Sequence, residues 1–230
     1  KADISSTYKL GHKSPYATTT NKKMSILYFS PRERKDLLIS WIVLSLAFAI
    51  VLMKVSIFGD LLGANSTLIP QIAIPLSFIA VGTGFVFHEL AHREAAKHYG
   101  FHSEYRAWYP MLLIAVIFAL FTGWIFAAPG ATYFFGQNIT RRQNGIISAA
   151  GPIINLILGT LFLLLGLGIA ETALKTILLS AAMINFWFAM FNLLPIFMLD
   201  GSKVIKWNFG AWLGLFAISA FFVFGLGFVI

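Results

Sequence analysis

Apolar residues come in long blocks along this chain, and the polar residues are collected in the short stretches between them. Five blocks are long enough to cross a bilayer: 38–57, 68–99, 146–170, 173–198 and 209–230. A spanning helix needs about 20 apolar residues. A sixth block, 110–128, runs into Pro129 and Gly130, which break a helix. The pattern predicts an all-α polytopic membrane protein with five spanning helices and one re-entrant apolar segment. No internal repeat is visible.

Composition agrees with that class. The chain has 230 residues, 58% hydrophobic and 11% charged, where a soluble domain carries about 25% charged residues. The net charge of +8 is therefore read as a topology signal and not as a nucleic-acid footprint. With the N-terminus in the cytoplasm and 110–128 re-entrant, nearly all basic residues fall inside. They are the eight in 1–36 together with Arg93, Lys97, Arg106, Arg141, Arg142, Lys203 and Lys206. Only Lys175 faces outside, and Lys54 sits near the outer end of the first span. A full crossing by 110–128 would move Arg141, Arg142, Lys203 and Lys206 outside. Trp108, Tyr109 and Trp207 near span ends fit interfacial belts. A cell-membrane protein embedded in the lipid bilayer is expected.

Residues 1–36 read as a polar arm. Its first 23 residues precede the first Met, Met24, and are expected to be an appended segment or a disordered arm; no cleavable signal peptide is expected. Residues 37–230 read as one transmembrane domain with a core at about 68–208.

The candidate chemistry begins with His88-Glu-Leu-Ala-His92 at the end of the second block. Residues four apart share a helix face. Two imidazoles so placed can bind one zinc ion, and the Glu between them can act as general base. The chain has no cysteine, so a metal here must be held by His, Asp or Glu. Asp200 is the best third ligand, because an ionised carboxylate at the end of an apolar run needs compensation. It shares a depth with His88 only if an odd number of spans separates their helices; one span, 146–170, does so. Three protein ligands leave a fourth position for water, which marks a catalytic zinc site. Glu89 would take the proton of that water and deliver it to the leaving amine. His98 and His102 are also four apart, but Gly100 interrupts any helix between them. They are read as cytosolic-side residues without a metal role.

These motifs resemble the site-2 protease family of intramembrane zinc metalloproteases, particularly small archaeal or bacterial members. The resemblance rests on His88 to His92, on Gly151-Pro-Ile-Ile-Asn155, and on Asn192-Leu-Leu-Pro-Ile-Phe-Met-Leu-Asp-Gly201. It implies one zinc ion per chain held by His88, His92 and Asp200, with Glu89 as base. It implies that Asn192, and less directly Asn155, contacts the backbone of a transmembrane-protein substrate or its developing oxyanion. Read from the residues alone, both amides could equally be interhelical glue, the reading preferred for Asn185. Gly151 and Pro152 are read as packing or a local break. Two departures stand out: Met198 where the family often has a second Pro, and the long apolar 110–128 segment in place of short membrane strands.

The implied activity is hydrolysis of peptide bonds within or next to transmembrane segments, with the active site toward the cytoplasm. Lipid forces a substrate backbone to bond to itself, so the substrate must unwind locally. Residues 129–136 are expected to pair with it as an added strand. A divalent metal transporter and a catalytically inactive relative are the alternatives. Transporters usually carry repeats and broken midplane helices and have no use for Glu89 as a base, and the intact His88-Glu-Leu-Ala-His92 with Asp200 argues against an inactive relative.

Overall fold

A computed structural model describes residues 28–54, 68–125, 129–136, 138–196 and 198–225. It is mostly helical. Four helices are long and apolar enough to cross a membrane: Pro31–Leu52 (α1), the continuous Pro70–His98, Arg141–Leu167 (α5) and Thr172–Asn192 (α6). The second is α2 (Pro70–Val81), a π turn (Gly82–Phe87) and α3 (His88–His98) in one rod. Shorter apolar helices lie at Tyr109–Thr122 (α4) and Phe209–Gly225, the latter beginning with α8 (Phe209–Ala220). Between α6 and α8 sits α7 (Asp200–Trp207). The expected arm residues 1–27 and the outer ends of blocks 38–57 and 209–230 lie outside the described residues.

The first helix starts earlier than the apolar pattern indicates. Ser30 caps it by accepting from the Glu33 N–H at 3.1 Å, and Pro31 occupies the first turn. Residues 31–36, expected in the arm, are thus helical. Glu33 and Asp36 point inward and are buried because partners await them. Glu33 pairs with Arg93 at 2.7 Å and accepts from the Tyr105 N–H at 3.1 Å. Arg93 also lies over the Phe29 ring, 4.0 Å from its centroid. Asp36 accepts from the Tyr109 hydroxyl at 2.6 Å. These charges tie α1 to α3 and to the segment after it.

The all-α expectation is corrected in one place. His102–Ala107 (β1) and Gly130–Phe135 (β2) form a two-stranded antiparallel sheet. In β1 the alternate residues Ser103 and Tyr105 are buried. Each strand has only six residues, too few for a period of two to stand out beside long apolar helices. Burial pushes the Tyr105 phenol well above its ordinary range. It therefore stays protonated and donates to Pro129 O at 3.1 Å.

The sheet also brings the two flanks of block 110–128 together. Ala107 faces Gly130 across the ladder, and the Trp108 N–H reaches Pro129 O at 2.8 Å. The excursion between them begins and ends at one place. Its helix α4 has 14 residues, about 21 Å at 1.5 Å per residue, which is short of a hydrocarbon core of about 30 Å.

Helix α5 is the central rod. Gly145, Gly159 and Gly166 bring it close to Trp207, Phe186 and Leu179, side chains a Cβ would strike at 2.2–2.7 Å. Small residues on a membrane helix let its neighbours approach closely.

Candidate metal centre

The site forms where α3, α5 and α7 meet. The π turn just ahead of His88 puts both histidines on the face of α3 that packs on α5. After Asn192 the chain leaves α6, turns near Pro195, and restarts as a helix at Asp200. Gly201 lets that restart sit against the preceding turn: a Cβ there would lie 2.0 Å from Leu193 O. Asp200 thus opens a helix instead of closing an apolar run, and its carboxylate is carried to the histidines.

His88, His92 and Asp200 are 4%, 8% and 7% exposed. His88 Nε2 lies 3.2 Å from Asp200 Oδ2, His92 Nε2 lies 3.1 Å from the same oxygen, and the two Nε2 atoms are 3.0 Å apart. Ligands about 2.0–2.1 Å from a tetrahedral zinc ion stand about 3.3 Å from one another. The triangle matches that spacing. The outer nitrogens support it: His92 Nδ1 is 2.8 Å from Ile147 O, and His88 Nδ1 is 2.6 Å from Asn155 Oδ1. A carbonyl oxygen only accepts, so His92 carries a proton on Nδ1, and Nε2 is the nitrogen it can offer a metal. Two nitrogen lone pairs and a carboxylate aimed at one another in a buried space fit a cation. Among the described residues this is the only cluster of three His, Cys, Asp or Glu side chains that could hold a metal ion. The other Asp200 oxygen faces Lys203 at 3.8 Å.

Glu89 lies beside the triangle, half-buried, and is not one of its three members. Its Oε2 accepts from the Thr132 N–H at 2.8 Å, and its backbone oxygen accepts from the Thr132 hydroxyl at 3.0 Å. Strand β2 is therefore clamped over the carboxylate. Asn192 is the last residue of α6, part-exposed, and donates to Phe188 O at 2.9 Å. Asn155 is wholly buried behind His88, with both amide protons used on Gly84 O and Asn185 Oδ1. That place is against His88 and away from any exposed surface. His98 and His102 stay outside the cluster; His102 is exposed on β1, 3.9 Å from Glu104.

Three contributors escape a reading of the sequence. Ile147 acts through its backbone oxygen, which no side-chain pattern reveals. Thr132 is an ordinary strand residue until the fold lays it on Glu89. Gly151 reads as packing, yet a Cβ there would lie 2.5 Å from His88 Nε2 and 2.6 Å from His92 Nε2. The bare Gly151 backbone forms one wall of the space between the two imidazoles. The Gly-Pro pair one helical turn before a buried Asn was the available clue.

The comparisons with known proteins bear on the same residues. The model of Peptidase family M50 matches residues 168–221, the stretch that carries Asn192 and Asp200. The chain is 42% identical over 190 residues to the protein named Putative zinc metalloprotease MJ0611 of Methanocaldococcus jannaschii. The match covers 82% of this chain and 91% of that protein. No solved structure matches. With 42% identity over 82% of its length, the chain belongs to peptidase family M50, the site-2 protease family of zinc metalloproteases.

Proposed function

We propose that the protein is an intramembrane zinc endopeptidase that cuts transmembrane substrates within or next to their spans, in regulated intramembrane proteolysis. The observation that carries this is the buried His88, His92 and Asp200 triangle beside half-buried Glu89, at the end of a helix long and apolar enough to span. The relative named a zinc metalloprotease supports the same chemistry. Zinc bound by the three residues would supply an acidified water and a polarised scissile carbonyl.

The rest falls to the chain's own groups. Glu89 takes the proton from the attacking water and returns it to the amine that leaves. Asn192, part-exposed at the end of α6, is placed to meet the substrate backbone or the developing oxyanion. The outer edge of β2 receives the unwound substrate as a strand. Thr132 then gives its N–H to the substrate while Glu89 turns to the water. Thr132→Pro removes that N–H; cleavage of a defined membrane substrate should fall by about 100-fold, the scale of a misplaced reacting pair. Unchanged cleavage would remove the strand from the mechanism.

For topology we propose five spans with a cytoplasmic N-terminus, the apolar block 209–230 of the sequence being the fifth. Helix α4 re-enters on the side it left. The junction of β1 and β2 at both ends of the excursion supports this, as does the placing of Arg141, Arg142, Lys203 and Lys206 on the inside. The active site then opens toward the cytoplasmic side of the cell membrane.

The direct test is the zinc content of the detergent-purified chain. About one zinc ion per chain is expected in the parent and a clear loss in Asp200→Ala. No zinc in the gently purified parent would overturn the proposal. Zinc indifferent to Asp200 would break the link between the two halves of the site.

A further inference from the structure

Asn155 and Asn185 sit in apolar helices, and neither has any exposed surface. A buried amide leaves two donors and an acceptor to be satisfied, and an unpartnered one is costly. Here every proton has a destination. Asn155 Nδ2 lies 2.9 Å from Gly84 O and 3.2 Å from Asn185 Oδ1. Asn185 Nδ2 lies 2.9 Å from Ala181 O and 3.0 Å from Thr83 Oγ1. Thr83 Oγ1 lies 2.7 Å from Ile79 O.

The direction of this chain of bonds is forced. Ile79 O, Ala181 O and Gly84 O are carbonyl oxygens and only accept. Thr83 therefore donates to Ile79 and accepts from Asn185. The Asn185 nitrogen faces Ala181 O, so its oxygen faces Asn155. The Asn155 nitrogen faces Gly84 O, so its oxygen faces His88 Nδ1. A reversal at any member sets two acceptors or two donors against each other. His88 must then carry a proton on Nδ1, which makes Nε2 the nitrogen available to a metal beside Asp200 and His92. Gly84 and Thr83 belong to the π turn, where the helical ladder changes register.

We infer that Asn185, two steps from the metal centre, is a positioning residue that works through Asn155 to lock the tautomer of His88. The inference rests on reading His88, His92 and Asp200 as a zinc site. Without the Asn185 oxygen, one Asn155 proton is buried with no acceptor. Gly84 O still holds the other proton, so the amide does not invert, but tied by one bond instead of two it can tilt away from His88 Nδ1, and His88 can then place its proton on Nε2, where zinc must bind. A ligand's hydrogen-bonded partners typically govern 10–100-fold in metal affinity.

The experiment uses the full chain in detergent, with Asn185→Leu, Asn155→Leu and the double variant. Zinc affinity is read by chelator competition, and the His88 tautomer by nitrogen NMR of histidine-labelled, metal-free protein. Asn185→Leu should weaken zinc by about 10-fold and turn a single Nδ1-protonated His88 into a mixture. In the Asn155→Leu background the same change should add nothing, because both act on one bond. Should Asn185→Leu fail to fold, Asn185→Ser gives the same comparison with a side chain too short to reach Asn155. Affinity within twofold of the parent overturns the inference. So does weaker zinc binding with the tautomer unchanged, which is what loosened packing alone would give, and so does full additivity. A parent that binds no zinc would instead overturn the proposed function, and the tautomer would still decide the relay.

Discussion

Glu89→Gln should abolish cleavage of a membrane-span substrate while the chain keeps its zinc. The two outcomes separate because Glu89 is beside the ligand triangle and not part of it. General-base groups contribute about 10²–10⁴-fold, so a loss of about 10³-fold is expected. The substitution is gentle on the fold. An amide oxygen at position 89 can still accept from the Thr132 N–H, and the second clamp from Thr132 goes to the backbone oxygen of residue 89. The measurement is turnover of a purified reporter alongside zinc content per chain. Activity within tenfold of the parent would remove Glu89 as the base. Zinc loss together with activity loss would make it a structural part of the centre.

Gly151→Ala should empty the metal centre although residue 151 touches no metal. The added methyl would lie 2.5 Å from one ligating nitrogen and 2.6 Å from the other, well inside contact distance. Neither ring has somewhere to retreat. Ile147 O holds His92 and Asn155 holds His88 from the far side. The helices must part or the Nε2 atoms must leave the triangle. A fall in zinc affinity beyond the about 100-fold of an outer-partner lesion is expected, read by chelator competition. Gly145→Ala is the control for bulk in the same helix, because it presses on Trp207 instead. Zinc binding by Gly151→Ala at the parental level would show that the cradle can open freely.

Much of this site is legible in the sequence because metal ligands need particular side chains. His88 and His92 follow from helical spacing, and Asp200 from a carboxylate stranded beside an apolar run. The order of spans then brings them to one depth. What stays hidden is carried by the backbone or by contacts formed only in three dimensions. Ile147 supplies a carbonyl, as any residue would. Gly151 supplies the absence of a side chain. Asn155 looks alike as glue, as substrate contact or as a ligand's partner, until the fold sets it on His88. The start of α1 was hidden for another reason. Glu33 and Asp36 read as an exposed arm because their partners Arg93 and Tyr109 lie 60 and 73 residues away. Strand β1 was lost to its shortness, and 129–136 was expected as a strand only against a substrate, not against β1.

The π turn at Gly82–Phe87 makes the aim of the motif depend on how the backbone winds just ahead of it. A wide turn holds one residue more than an α-helical turn of the same height. Should the same residues rewind as regular α-helix, the surplus residue would turn everything beyond it by about 100°. His88 and His92 would swing together off the face that meets α5, with their four-residue spacing intact. Both histidines and the glutamate can therefore stand letter for letter in a sequence whose upstream turn aims them elsewhere. Loss of the surplus residue together with the wide turn would keep them on α5.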